Sequence, residues 1–315
     1  MIGQIFFYLG ISMALQVVFF IFAFLFKSDK FTDMTYSLTF LTISIVSLLL
    51  GTGKDCLATI LQNVAVWMWS LRLGSYLVYR IHKIGVDHRF DQIRDSLLKF
   101  GGFWFIQGLS VWFVILPTVI VNLNPPLGSI HWTNILGWVI FFIGLIIETI
   151  ADYQKFVFKN KPENKKNFMK SGIWSWSRHP NYFGELAVWV GLFISSIASI
   201  ALNDNKHSES QTDYALQWTL AALGPLWITF VILFFSGIPP LERGWLKRYG
   251  DRNDFIKWKK TTSILIPIPP KLYNLCNPWE EKSDEPDPFE AQKLLKKQNH
   301  QDEKQKESNT NEEVL

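Results

Sequence analysis

Residues 130–151 read IHWTNILGWVIFFIGLIIETIA, an apolar run whose one acidic side chain, Glu148, falls near its end. About 20 such residues in an α-helix cross about 30 Å of hydrocarbon, so the stretch predicts a transmembrane helix. Working outward, residues 5–26, 36–50, 57–79, 103–123, 182–202 and 216–238 have the same character, although 36–50 is short for a full crossing. The sequence therefore predicts an all-α, polytopic membrane helix bundle of about seven transmembrane helices.

Composition agrees. Of 315 residues, 49% are hydrophobic and only 18% charged, where a soluble domain carries about a quarter charged. Lys and Arg crowd into the loops after the third run (Arg80, Lys83, Arg89, Arg94, Lys99) and the fifth (Lys155 to Arg178), and into the segment after the seventh, whereas 122–131 holds no charge. Basic loops stay on the cytoplasmic-type side, which predicts an outside amino terminus and a carboxyl terminus on the cytosolic or matrix side. The first run lacks a basic leader and a small-residue cleavage site, and reads as a retained span rather than a signal peptide. Cys56 and Cys276 make neither a disulfide framework nor a zinc site. A net charge of +4, with the basic residues crowded into particular loops, makes nucleic acid a poor partner. No glycine pair sits in a strand–turn–helix setting, which excludes a Rossmann or P-loop site. From Glu280 the chain is almost wholly polar and is expected to be disordered on its own. Three regions result: N-terminal transmembrane helices (1–66), a membrane domain carrying the site (67–272) and a polar tail (273–315).

Ionisable groups inside spans are costly and mark polar cavities. Glu148, Asp152, Lys155 and Lys159 recur in steps of three and four, as do Trp69, Arg72, Tyr76 and Arg80, so each set shares one helical face. Arg178, His179 and Pro180 lead into a helix bearing Asn181, Tyr182 and, one turn on, Glu185; Pro suits that first turn. Glu242, Trp245 and Tyr249 share a further face. The bland readings are snorkelling arginines, an interfacial polar collar and an aromatic belt. The functional reading is a cofactor with phosphates and an uncharged reactive end: Lys, Arg and His for phosphate, carboxylates for ribose hydroxyls, Asn for a carboxamide. NADPH meets that description better than S-adenosylmethionine, which carries no phosphate.

The segment 171–185, SGIWSWSRHPNYFGE, with Trp189 after it, resembles the signature of the steroid five-alpha-reductase-related family of NADPH-dependent membrane reductases. ETIAD at 148–152, SGIPPLE at 236–242 and KKTTSILIP at 259–267 extend the similarity over about 67–270. The resemblance implies Asp152, Lys159, Arg178, Asn181, Glu185 and Tyr249, joined by His179 and Tyr182, as NADPH contacts; Lys155, on the same face as Asp152, is expected with them, Tyr76 and Glu148 are the expected catalytic groups, and no metal is expected. The resemblance also implies reduction of a carbon–carbon double bond in a hydrophobic, sterol or fatty enoyl type substrate, in the endoplasmic reticulum or mitochondrial inner membrane. The chain departs from that pattern in three places: no early-span acid matches, Trp69 stands where a Tyr is expected, and Phe255 replaces another Tyr. Two alternatives stay open. One is a non-catalytic reductase-fold subunit docked through the tail into a larger assembly such as a mitochondrial respiratory complex. The other is a membrane methyltransferase using S-adenosylmethionine.

Overall fold

The computed structural model of the protein describes residues 2–84, 90, 91, 93–126, 130–202 and 211–276. Arg89, the disorder expected from Glu280 onward and any docking through the tail lie outside the described residues. Among the described residues ten α-helices follow in chain order: α1 (Ile2–Leu25), α2 (Lys30–Leu50), α3 (Leu57–Ile84), α4 (Leu97–Leu123), α5 (Trp132–Asn160), α6 (Pro180–Ala201), α7 (Gln211–Phe230), α8 (Ile238–Tyr249), α9 (Asn253–Thr261) and α10 (Pro270–Cys276). No strand occurs among the described residues, and the chain is a polytopic helical bundle. Among the described residues six stretches are long and apolar enough to cross a membrane: α1, α2, α4, α5, α6 and the segment Thr212–Tyr249.

Two expectations about the spans need correcting. The second run is not short, because α2 begins at Lys30. Within it the hydroxyls of Thr32, Thr35 and Thr39 donate to the carbonyls of Asp29, Phe31 and Thr35 at 2.6, 2.6 and 2.7 Å, so these polar side chains are satisfied by their own helix. The third run, counted among seven spans, forms a 28-residue helix, about 42 Å long, but is too polar by composition to stand with the six. Its polar side chains turn inward instead of toward lipid. Gln62 donates to Leu192 O at 3.0 Å, Asn63 to Asn122 Oδ1 at 2.6 Å, and Arg72 reaches α5.

α5 and α6 pack closest, through glycines spaced by seven on each helix. A Cβ on Gly137 would stand 2.4 Å from Gly191 O, and one on Gly144 would stand 2.6 Å from Gly184 O. Only small residues permit such an approach. The seam fixes Glu148 of α5 against the turn of α6 that carries Glu185. Beyond α7 the chain takes one wider turn, Val231–Phe235, and breaks at Gly237, after which Pro239 and Pro240 open α8. The closing segment is tied to the loop before α6: Arg178 N donates to Ser263 O at 2.8 Å, Ser177 Oγ to Leu265 O at 2.7 Å, and Ile268 N to Trp176 O at 3.0 Å.

Candidate functional site

The carboxyl ends of α3 and α5, the amino ends of α2 and α6, and α8 meet at one end of the bundle around a cavity of about 630 Å³. It is lined from α5 by Glu148, Asp152, Lys155, Phe156, Lys159 and Asn160. From α6 come Asn181, Tyr182 and Glu185, and from α3 Leu73, Tyr76, Leu77, Arg80 and Ile81. Asp33 and Tyr36 of α2 and Leu241 of α8 complete it. Of the residues expected to form a site, Tyr76, Glu148, Asp152, Lys155, Lys159, Asn181, Tyr182 and Glu185 are thus brought together.

The lining is graded in charge. At the deep end Arg72 forms ion pairs with both Glu148 and Asp152, the latter at 2.9 Å. Trp69, fully buried, donates its indole N–H to Glu148 Oε2 at 3.1 Å. Glu185 adds a third carboxylate and makes no hydrogen bond or ion pair among the described residues, so carboxylates outnumber the one buried guanidinium. Eleven residues separate Glu148 from Lys159, about 16 Å along the helix axis, and at that far end the charge reverses. Lys155 lies 4.9 Å from the Trp174 ring, and Lys159 Nζ donates to Asn167 O at 2.7 Å. Arg80 pairs with Asp33 at 2.9 Å. Below the deep end, Phe40, Trp69 and Trp189 form an aromatic layer with centroids 4.8 to 5.2 Å apart, Trp69 standing edge-to-face to the other two.

Arg178, His179 and Tyr249, expected as cofactor contacts, are not among the lining residues. Arg178 Nη1 and His179 Nε2 both meet the Glu242 carboxylate of α8, at 2.7 and 2.8 Å. The His179 ring is stacked between Trp245, 4.9 Å away and 2° from parallel, and Tyr182, 5.7 Å away. Burial holds the His179 imidazole below its ordinary value, against the pull of the Glu242 hydrogen bond. Tyr249 packs with Phe168, Phe255 and Trp258 and donates to Asn167 O at 3.2 Å. Arg178 and His179 are thus clasped to α8 at the start of α6, outside the cavity lining, while Tyr249 belongs to a separate aromatic cluster.

Asp33, Tyr36, Phe156, Asn160 and Leu241 line the cavity without having been picked out from sequence. The available signal was the helical spacing of Asp33, Tyr36 and Phe40, hidden when the second run was taken to begin at Tyr36. No group of three or more His, Cys, Asp or Glu able to hold a metal occurs among the described residues.

The family described as "Protein of unknown function (DUF1295)" matches residues 19–262. An uncharacterized protein of Schizosaccharomyces pombe is 25% identical over 58% of this chain and 56% of its own length. A probable O-methyltransferase of Ustilaginoidea virens is 38% identical over 19% of this chain and 21% of its own. A protein-S-isoprenylcysteine O-methyltransferase of Xenopus laevis is 24% identical over 38% of this chain and 42% of its own. The chain thus spans about half or less of the curated relatives it matches. No solved structure matches it.

Proposed function

Because the chain belongs to the DUF1295 family and its bundle encloses a cavity graded from acid to base, we propose that it is a membrane-embedded NADPH-dependent reductase. Its substrate would carry a carbon–carbon double bond in a hydrophobic, sterol or fatty enoyl type framework. The observation that carries this reading is the gradient itself: carboxylates and an amide deep in the bundle, Lys155, Lys159 and Arg80 toward its end.

The residues present fit the cofactor. The volume is that of a small-molecule site. Lys155 and Lys159 would hold phosphate oxygens by charge-assisted donation. Asp152 and Glu185 can accept from ribose hydroxyls, and Asn181 offers the donor and acceptor that a carboxamide needs. NADPH, when bound, supplies the hydride. Arg72 orients Glu148 and Asp152 through its ion pairs, and the aromatic layer beneath walls off the deep end. Leu73, Leu77, Ile81 and Leu241 give the same cavity an apolar wall, suited to a lipid-like substrate.

The O-methyltransferase relatives favour a second reading, in which the acidic end receives the sulfonium of S-adenosylmethionine. Thermal unfolding of the full-length protein in lipid nanodiscs separates the two. A ligand at a hundred times its Kd stabilises by about 2.7 kcal/mol, so NADPH should raise the midpoint clearly, NADH less, and S-adenosylmethionine not at all. Lys159→Ala should cut the NADPH shift. A shift with S-adenosylmethionine alone would replace the reductase by the methyltransferase.

A further inference from the structure

A reductase of this kind needs an O–H or acid that meets the substrate carbonyl, and the cavity permits an elimination among its polar groups. Trp69 has a single donor, and it is committed to Glu148. Glu148 and Asp152 are both engaged by Arg72, and Asp33 by Arg80. Tyr76 lies seven residues from Trp69, about 10 Å toward the basic end, with its ring 6.0 Å from the Arg80 guanidinium. Tyr182 has its ring stacked on His179.

Tyr36 remains. Its ring is held edge-on by Phe40, at 5.1 Å and 82°, and by Trp69, at 6.3 Å and 69°. It lines the cavity, and its hydroxyl makes no hydrogen bond among the described residues. A phenol fixed by packing on two sides, with a donor unspent beside a void, is pre-organised to act on whatever enters.

Resting on the reductase reading, we infer that Tyr36 of α2 is the proton donor, and that the hydroxyl expected on α3 has been replaced by one on the neighbouring helix, packed against the Trp69 that displaced it. In the step assigned to it, the β-carbon of a conjugated enone gains a hydride from the reduced cofactor. The π electrons move to the carbonyl oxygen, which takes the Tyr36 proton, and the enol tautomerises to the saturated ketone. The phenolate regains a proton from water through the cavity, so that enone, NADPH and one proton give ketone and NADP⁺.

The test uses the full chain in nanodiscs with NADPH and three probes: androstenedione, a trans-enoyl thioester and cyclohexenone. For wild type, Tyr36→Phe and Tyr76→Phe, the NADPH Kd, kcat and its pH profile are measured. Phe keeps the ring packing, and a thermal melt checks folding. General-acid loss predicts that Tyr36→Phe lowers kcat by roughly 100-fold and leaves the NADPH Kd within about twofold. A fall in kcat of less than tenfold, or a larger fall in Tyr76→Phe, overturns the assignment while leaving the reductase intact. NADPH failing to bind, or binding without turnover of any probe, removes the reductase reading and this inference with it.

Discussion

At one end of the bundle Asn63 and Asn122 face each other across α3 and α4; at the other Arg72 faces Glu148 and Asp152 across α3 and α5. The amide end is neutral and closed on itself. Asn63 Nδ2 donates to Asn122 Oδ1 at 2.6 Å, Asn122 Nδ2 to Ser47 Oγ at 2.6 Å, and Ser44 Oγ to Asn63 Oδ1 at 2.6 Å. The backbone seals it, since a Cβ on Gly51 would stand 2.2 Å from Asn122 O. The charged end has carboxylates in excess of its buried cation and surrounds a void. Neutral groups that satisfy one another hold helices together. Charged groups left short of partners around a cavity make the bundle receptive to a ligand, and cost stability to maintain.

The largest effect should come from breaking the charged end. Arg72→Met leaves Glu148 and Asp152 buried without their cation and should cost roughly 3–5 kcal/mol at neutral pH, read as a lowered unfolding midpoint in nanodiscs. Adding Glu148→Gln and Asp152→Asn should restore much of it. If Arg72→Met unfolds like wild type, the carboxylates are already protonated and the contrast between the two ends disappears.

Next is the glycine seam that supports that end. Gly144→Val forces side-chain atoms into the α6 backbone, where a Cβ alone would stand 2.6 Å from Gly184 O. Overpacking of this sort costs about 1–3 kcal/mol. Because the seam positions Glu148, NADPH affinity should fall together with stability. A variant that loses stability while binding normally would uncouple the seam from the site.

A paired substitution sharpens the comparison further. Asn122→Ala opens the amide ring and should cost about 1 kcal/mol without changing NADPH affinity. Glu185→Gln should do the reverse, because the carboxylate it removes has no ion pair to lose: stability within about 0.5 kcal/mol of wild type, affinity lowered several-fold. Matching outcomes for the two variants would mean that the ends do not differ in kind.

Much of this was legible in sequence because it rests on local periodicity. Glu148, Asp152, Lys155 and Lys159 fall on one face of α5 by spacing alone, and Asn181, Tyr182 and Glu185 follow a proline-marked helix start, so their meeting in one cavity needed only that the helices pack. Lys30 to Thr35 was not legible as part of the span because Lys30, Asp33 and two threonines interrupt the apolar run, and the threonine hydroxyls are satisfied only by bonding to their own backbone. Nor was the partner of Arg178, since Glu242 lies 64 residues away on a helix whose placement depends on the wide turn and Gly237 before it. Arg178 and His179 carry the right charge for a phosphate; what decides their position is a carboxylate brought from elsewhere in the chain. Tyr36 was missed for a similar reason, its importance depending on what Trp69 does with its one N–H.

The smallest effect separates the clasp from the surface by pH. His179 is held below the ordinary imidazole value by burial, so the unfolded chain binds the proton more readily than the folded one. Stability from this group is therefore full above about pH 6.5, the ordinary value, and declines as pH falls below it. Asp254 works in the same direction in a lower window. Hydrogen bonds from Arg252, then Lys170, hold its carboxyl at about 2 against an ordinary 3.8, so its contribution is present above 3.8 and is lost as pH falls toward 2. Unfolding midpoints measured from pH 8 to pH 2 should show a first decline that His179→Gln removes, and a second that Asp254→Asn removes. Molar salt should weaken only the second, because the Arg252 and Lys170 pairs face water while the His179 ring is packed between Trp245 and Tyr182. Were salt to abolish the first decline instead, the clasp behind the cavity would be open to solvent, and the protected start of α6 on which the site depends would have to be given up.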